Sequence, residues 1–86
     1  MDETRVRERI RDFIGRHVRG REFDDEADIF ALGFVNSMFA MQLVLFVETG
    51  FGIKVEDEDL EIDNFRSVNA IAGLVVRKTQ GQAAGL

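Results

Sequence analysis

The sequence contains no cysteine, and this absence limits the chemistry that the chain can perform. Without a thiol, the protein has neither a disulfide framework nor a thiolate that binds a metal or attacks a substrate. Its 86 residues are close to the smallest length at which one core suffices. We therefore predict a single small domain that is held together by apolar packing alone.

Long hydrophobic runs are also missing. The apolar stretches are much shorter than the roughly 20 residues that cross a bilayer, and the N-terminus is charged from Asp2 onward. These features predict neither a signal peptide nor a membrane anchor. We expect a cytoplasmic protein that is monomeric and has no membrane partner.

Charge is distributed unevenly along the chain. Residues 1–21 hold seven arginines and four acidic residues, whereas residues 22–63 hold twelve acidic residues and one base, Lys54. The acidic middle repels nucleic acid and attracts basic surfaces of partner proteins. The early arginines are mixed with acidic residues and lack an aromatic stacking surface, so we interpret them as a solvated helix face and expect no nucleic-acid binding.

Groups suited to catalysis or metal binding are scarce. The one histidine, His17, has no obvious catalytic companion, and we expect it to be structural or surface-exposed. The acidic run 56–63 suggests a calcium loop, but it lacks the glycine at the sixth position and the glutamate at the twelfth. A solvated loop is the preferred interpretation, and we predict no catalytic residue and no metal site.

Hydrophobic periodicity predicts two long helices in the first half of the chain. A first helix over residues 3–18, ended by Gly20, presents one apolar face formed by Val6, Ile10, Phe13, Ile14 and Val18. A second helix over residues 37–49 is apolar nearly all round. We expect Asn36 to cap the second helix, and Gly50 and Gly52 to stop it.

The remaining segments predict a long loop, a short helical turn and a last helix. Four apolar residues should anchor the loop over 19–36 to the core: Phe23, Ile29, Phe30 and Leu32. A short turn within 57–66 should be anchored by Leu60, Ile62 and Phe65. Ser67 should cap the last helix, whose buried stripe comprises Val68, Ile71, Ala72 and Val75, with Leu74 beside it.

Together these segments predict an all-α protein. We expect a small four-helix bundle, with three long helices and one short helix, in which a long loop joins the first two helices. Residues 1–79 should form the domain. Residues 80–86 contain few hydrophobic groups and should form a flexible C-terminal tail.

Ser37 stands where the polar loop gives way to the apolar second helix. A hydroxyl in a first helical turn lies beside unpaired backbone N–H groups and the positive end of the helix dipole, and both favour an attached phosphate. We predict that Ser37 is a modification site.

The second helix also has a face that we expect to be exposed. If Leu43, Val47 and Phe51 form the core stripe, the helix turns a second set of residues toward solvent or a partner: Met38, Phe39, Gln42, Leu45 and Thr49. Alternatively, Phe39 and Phe46 are buried under the first loop.

Over roughly residues 5–78, the sequence resembles the acyl carrier and peptidyl carrier protein family. The resemblance rests on Asp28, Phe30, Leu32-Gly33, Asn36-Ser37-Met38, Phe51-Gly52-Ile53 and Phe65-Arg66-Ser67-Val68. It implies that a phosphopantetheinyl transferase moves 4′-phosphopantetheine from coenzyme A onto Ser37. The thiol of that arm then carries an acyl or aminoacyl group as a thioester, and the protein is a carrier rather than an enzyme.

The central tripeptide departs from the family's usual Asp-Ser-Leu and reads Asn-Ser-Met. Asparagine keeps the capping function and loses the charge, while methionine keeps an apolar side chain of similar volume. The resemblance implies partners that load, modify and unload the acyl group. We predict that partner enzymes contact Asn36, Met38, Phe39, Gln42 and Leu45.

The segment from Gly33 to Leu43 is similar to free-standing carriers that supply extender units to polyketide assembly lines. In those carriers a glyceryl unit is loaded and converted to a methoxymalonyl unit, which implies polyketide or antibiotic biosynthesis and a polyketide synthase or related acyltransferase as partner. A free-standing aminoacyl carrier, including a D-alanyl carrier, is an alternative. A second alternative is a non-carrier interaction module whose apolar second helix binds a groove on another protein.

Overall fold

The computed structural model describes residues 2–18, 22–33 and 35–84, and these residues contain four helices. They are α1 (Glu3–His17), α2 (Ser37–Phe51), the single-turn α3 (Ile62–Phe65) and α4 (Val68–Ala84). A 3-10 turn, Asp57–Asp59, precedes α3, and no strand occurs among the described residues. The prediction of an all-α bundle with three long helices and one short helix is confirmed.

Polar side chains cap the starts of α2 and α4, as the sequence predicts. The Phe39 N–H donates to Asn36 Oδ1 over 2.8 Å, and the Ala70 N–H donates to Ser67 Oγ over 3.0 Å. Each cap satisfies one of the backbone donors that a helix leaves unpaired in its first turn. The two caps therefore fix where these helices begin.

The end of α2 differs from the prediction at one of its two glycines. Gly52 ends the helix in the left-handed conformation, with φ of 66°. Gly50 does not stop the helix and lies within it. A Cβ at position 50 would lie 3.3 Å from Phe46 Cε1 and 3.4 Å from Arg9 Nη2. The lack of a side chain at Gly50 therefore leaves room for Phe46 of α2 and Arg9 of α1.

The last helix extends further than the sequence suggests. Its backbone remains helical to Ala84, past the expected end near residue 79. Alanine and glutamine have favourable helix propensities, and extending an existing helix adds a hydrogen bond for each residue ordered. The flexibility of residues 80–86 stays a prediction. Residues 85 and 86 lie outside the described residues, as does Gly20.

The core draws apolar side chains from α1, α2 and α4. α1 packs against α4, and the short α3 also packs against α4. The stripes predicted for the first and last helices are buried, except that Phe13 is half-buried, and the stripe predicted for α2 is confirmed. The most deeply buried side chains are Val6, Ile10, Ile14, Ile29, Phe39, Leu43, Val47, Val68, Ile71, Leu74 and Val75.

Hydrogen bonds and ion pairs attach the long loop to two helices. Arg11 donates to both carboxylate oxygens of Asp25, over 2.8 and 2.6 Å. These bonds, chiefly, lower the pKa of Asp25. The Asp25 carbonyl accepts the Asn69 N–H over 2.9 Å. Ile29 is fully buried, and its N–H donates to the Arg66 carbonyl over 2.7 Å.

Three apolar residues predicted as anchors are instead exposed. Leu32, Leu60 and Ile62 are 48%, 52% and 56% exposed. A single-turn helix turns few positions inward, and in α3 the buried residue is Phe65. In the loop, Ile29 is the fully buried anchor. The predictions for Leu32, Leu60 and Ile62 were therefore wrong.

The acidic run after α2 is organised by an ion pair. Lys78 Nζ lies 2.7 Å from Asp59 Oδ2, and the Glu56 N–H donates to the same oxygen over 2.9 Å. The ammonium of Lys78 is the main cause of the lowered pKa of Asp59, and the Glu56 N–H is the second.

Among the described residues, no three potential metal ligands come together. Nor does that part of the chain contain a helix long and apolar enough to span a membrane.

Candidate attachment site at the start of α2

Ser37 is the first residue of α2, and its side chain is exposed. Immediately before it, Asn36 holds the first turn through two acceptors. Its side chain accepts the Phe39 N–H, and its carbonyl accepts the Ala40 N–H over 2.9 Å. The position of the Ser37 hydroxyl is therefore set by a closed helical turn rather than by an open loop.

The polar groups around Ser37 suit an attached phosphate. Within the described residues, no hydrogen-bond partner is found for the Ser37 hydroxyl, and no acceptor is found for the Ser37 and Met38 amides. The hydroxyl is therefore accessible for esterification. The two amides and the helix dipole point positive charge toward the same end of α2, which is the arrangement that stabilises a phosphodiester.

A compact turn leads into the site. Asp28 Oδ1 accepts the N–H groups of Phe30 and Ala31, each over 3.0 Å. Gly33 then adopts φ of 77°, a left-handed conformation that glycine reaches without steric cost. This turn brings the loop to the start of α2. Phe34 lies outside the described residues.

The second serine of the chain occupies a different environment. Ser67 is 8% exposed, and its hydroxyl oxygen accepts the Ala70 N–H. That oxygen already serves as a helix cap. Of the two serines in the sequence, Ser37 is therefore the one whose hydroxyl is open to an enzyme.

An exposed apolar strip continues from Ser37 along α2. Met38, Met41 and Leu45 are 70%, 75% and 59% exposed, and we name these three residues the α2 strip. Met41 and Leu45 follow Ser37 at intervals of four residues, which places them on the same helix face. The predicted exposure of Met38 and Leu45 is correct, and Asn36 and Gln42 are exposed as well.

Phe39 does not belong to this surface. It is 2% exposed, so the prediction that its side chain faces solvent or a partner was wrong. Phe39 precedes Leu43 and Val47 at intervals of four residues, and it therefore extends the same buried stripe toward the start of α2. The alternative placed Phe39 and Phe46 under the first loop. Phe39 is indeed buried, but its ring stacks on Phe13 and His17 of α1, and Phe46 is half-buried.

Three exposed apolar residues were not predicted to be exposed. Met41 was detectable, because it lies midway between Ser37 and Leu45 on one helix face. Leu60 and Ile62 had been predicted as anchors, and a segment of one turn has no measurable period that would indicate their exposure. A groove of about 560 Å³ runs between α2 and Leu60, and its lining is mainly apolar.

His17, at the end of α1, stacks against the Phe39 ring. The two ring centroids lie 3.7 Å apart and the planes differ by 9°. His17 is exposed and forms a ring contact, in agreement with the prediction of a structural or surface-exposed residue. Among the described residues, it makes no hydrogen bond to Ser37.

Comparison with known protein families identifies the class to which this site belongs. A family model described as a phosphopantetheine attachment site matches residues 4–75, and the chain belongs to this family. A comparison with curated proteins finds no significant match. The match confirms the carrier family predicted from the sequence and argues against a non-carrier interaction module.

The family defines the prosthetic group. Domains of this family are the attachment site for covalent 4′-phosphopantetheine, and they are generally carriers rather than catalysts. They work with phosphopantetheinyl transferases and acyl-handling enzymes. The accessible hydroxyl and the free amides at the start of α2 fit such a group.

Proposed function

We propose that Ser37 carries 4′-phosphopantetheine and that the protein presents acyl groups on this arm to partner enzymes. The observation that carries the proposal is the contrast between the two serines. Ser37 is exposed at the start of α2, whereas Ser67 is buried and uses its hydroxyl oxygen as a cap. The family match spans both residues, so accessibility distinguishes them.

The attachment reaction makes few demands on the carrier itself. Ser37 Oγ forms a bond to the phosphorus of coenzyme A that bears the pantetheine, the phosphoanhydride bond breaks, and adenosine 3′,5′-bisphosphate leaves. The hydroxyl proton passes to a base of the transferase, because no described residue of the carrier forms a hydrogen bond with Ser37 Oγ. Once attached, the group supplies a thiol that holds an acyl unit as a thioester.

We propose that partner enzymes dock on the α2 strip together with Asn36 and Gln42. The strip offers three large apolar side chains beside the attachment residue, and Glu48 lies further along α2. Apolar contact therefore supplies most of the binding energy. The exposed acidic residues Asp57, Glu58 and Glu61 strengthen the attraction of a basic partner at a distance.

For the pathway, we propose a polyketide extender unit of the glyceryl to methoxymalonyl type, carried in the cytoplasm by a monomeric protein. The similarity of Gly33 to Leu43 to such free-standing carriers supports this choice. The mainly apolar groove beside the α2 strip offers few partners for the hydroxyl groups of a glyceryl unit. We expect a polar cargo to stay on the solvent side of the protein.

The attachment residue is tested by measuring the mass of the intact protein. The wild-type chain is incubated with coenzyme A and a broad-specificity phosphopantetheinyl transferase, and it should gain one phosphopantetheine. Ser37→Ala should gain nothing, whereas the matched control Ser67→Ala should still be modified. Modification of Ser37→Ala, or no modification of the wild type, would contradict the proposal.

The docking surface is tested by adding a charge to the α2 strip. Met41→Glu should raise the KM of the transferase for the carrier by about tenfold, since burying an unpaired carboxylate costs more than 1 kcal/mol. Thr4→Glu adds the same charge on α1, away from Ser37, and should leave KM unchanged. Equal KM values for the two variants would argue against docking on α2.

The cargo is tested on protein purified from its native cells. The mass of the thioester-bound group is measured before and after release by hydroxylamine. A glyceryl-derived or methoxymalonyl mass supports the polyketide assignment. An aminoacyl mass would refute that assignment and support the aminoacyl alternative, without affecting the assignment of Ser37.

A further inference from the structure

Aromatic rings form a continuous series between α1 and α2, which we name the aromatic seam. At one end the Phe51 ring lies 4.7 Å from the Arg9 guanidinium, and at the other end Phe39 stacks on His17. Between these ends, Phe13 and Phe46 stack with centroids 4.3 Å apart. Residues late in α1 contact residues early in α2, so the two helices run antiparallel.

The closest ring contact of the seam lies next to the attachment residue. His17 is the last residue of α1, and its exposed ring stacks on Phe39 in the first turn of α2. Phe13 lies further from Phe39, at 5.6 Å between centroids. One face of the buried Phe39 ring is therefore covered by the ring of an exposed histidine.

The orientation of Phe39 determines the orientation of Ser37. Successive side chains of an α-helix are about 100° apart, so Ser37 and Phe39 project about 200° apart around the axis of α2. Holding Phe39 toward α1 turns Ser37 away from the bundle. The stack with His17 thus resists rotation and fraying of the first turn, which is where a helix has fewest hydrogen bonds of its own.

We propose that His17 is a positioning residue for the modification of Ser37. This inference rests on the proposed function, because it concerns the same hydroxyl. In the absence of the stack, the first turn of α2 opens more often, and the transferase binds only the fraction of molecules in which Ser37 is correctly presented. The smaller fraction of competent molecules raises KM. The value of kcat stays nearly the same, because the first turn of α2 is already closed in the complex with the transferase.

Three variants test this role through steady-state modification with coenzyme A and the transferase. His17→Ala should raise KM for the carrier by up to about tenfold with kcat nearly unchanged. The loss of one aromatic pair sets this upper limit, because KM rises only as far as the closed fraction falls. His17→Phe retains a flat ring and should restore the wild-type KM. Arg16→Ala alters the adjacent exposed residue and should behave as wild type.

Hydrogen exchange provides a second measurement that separates local from global effects. His17→Ala should speed exchange at the Phe39 and Ala40 amides, which close the first turn of α2 on Asn36, while the amides of α4 keep their wild-type rates. Equal acceleration throughout the chain would show a purely structural role and overturn the proposal.

The outcomes distinguish this proposal from the assignment of Ser37. If the wild-type chain is modified at Ser37 and His17→Ala has the wild-type KM, the positioning role is refuted and the carrier function stands. A His17→Phe variant as impaired as His17→Ala would also refute positioning by stacking. If the wild-type chain is not modified, both proposals fail.

Discussion

Asn36 provides a direct test of how the attachment site is built. Its side-chain oxygen accepts the Phe39 N–H over 2.8 Å and fixes the first turn of α2 beside Ser37. Asn36→Ala removes this acceptor, and Asn36→Asp keeps it while restoring the charge found in the usual family tripeptide. The two substitutions therefore separate the hydrogen bond from the charge.

The expected magnitudes follow from the geometry of the cap. Loss of a capping acceptor costs about 0.5–2 kcal/mol, so Asn36→Ala should lower the free energy of unfolding by that amount. Asn36→Asp adds a negative charge at the positive end of the α2 dipole and should raise the free energy of unfolding by about 0.3–1 kcal/mol at low ionic strength. Each kcal/mol corresponds to about 4–8 °C in Tm for a domain of this size.

Urea denaturation followed by circular dichroism measures these differences. The three proteins are compared at about 0.01 M and 1 M NaCl, between which the Debye length falls from about 30 to 3 Å. The advantage of Asn36→Asp should disappear in high salt, whereas the deficit of Asn36→Ala should remain. An Asn36→Asp variant as unstable as Asn36→Ala, or an advantage that salt leaves unchanged, would refute this account of the cap.

Three further predictions concern the core, the acid stability and two glycines. Phe39→Ala should lower the free energy of unfolding by about 3–5 kcal/mol in urea titrations, whereas Met38→Ala should change it by less than about 0.5 kcal/mol; similar losses would contradict the burial of Phe39. The lowered pKa of Asp25 means that its stabilising contribution is complete above its ordinary pKa of 3.8 and is lost as the pH falls below that value. Asp25→Asn should therefore flatten the pH dependence of the unfolding free energy below about pH 4, and a wild-type slope in the variant would exclude this residue as the source. Gly15→Ala should raise Tm, because the added methyl meets no atom within 4 Å in a helix interior, whereas Gly52→Ala should lower Tm, because φ there is 66°; shifts of the same sign would contradict the two assignments.

The features that the sequence predicts well are those repeated over several helical turns. The stripe of α1 recurs through about three turns and that of α4 through about two, so their burial follows from spacing alone. The caps at Asn36 and Ser67 were also predictable, because a short polar side chain before an apolar run has few other structural roles. The position of Ser37 at the start of α2 follows from the same signal.

Features that depend on distant contacts were not predictable from spacing. The bond between Arg11 and Asp25 joins residues 14 apart, and the pair of Lys78 and Asp59 joins residues 19 apart. Each charged residue had several possible partners along the chain, and only the packed fold selects one. The stack of His17 on Phe39 depends in the same way on how α1 and α2 are arranged.

The error at Phe39 came from the width assigned to the buried face of α2. The helix is apolar nearly all round, so its hydrophobic pattern alone does not locate the edge of the core. Extending the spacing of Leu43 and Val47 back by one turn reaches Phe39, and the neighbouring helix covers it there. Met41 is equally apolar but lies on the opposite face, where nothing in the described chain covers it.

Two of the three residues of the α2 strip are methionines. This residue type affects how a carrier binds several different enzymes. The unbranched thioether side chain adapts to pockets of different shape, so one surface serves successive partners. Both methionines are exposed, and oxidation of either sulfur to a sulfoxide would replace an apolar group of the proposed docking surface with a polar one. On the docking surface that we propose, oxidation of Met38 or Met41 should therefore weaken the binding of partners, although the chain lacks cysteine.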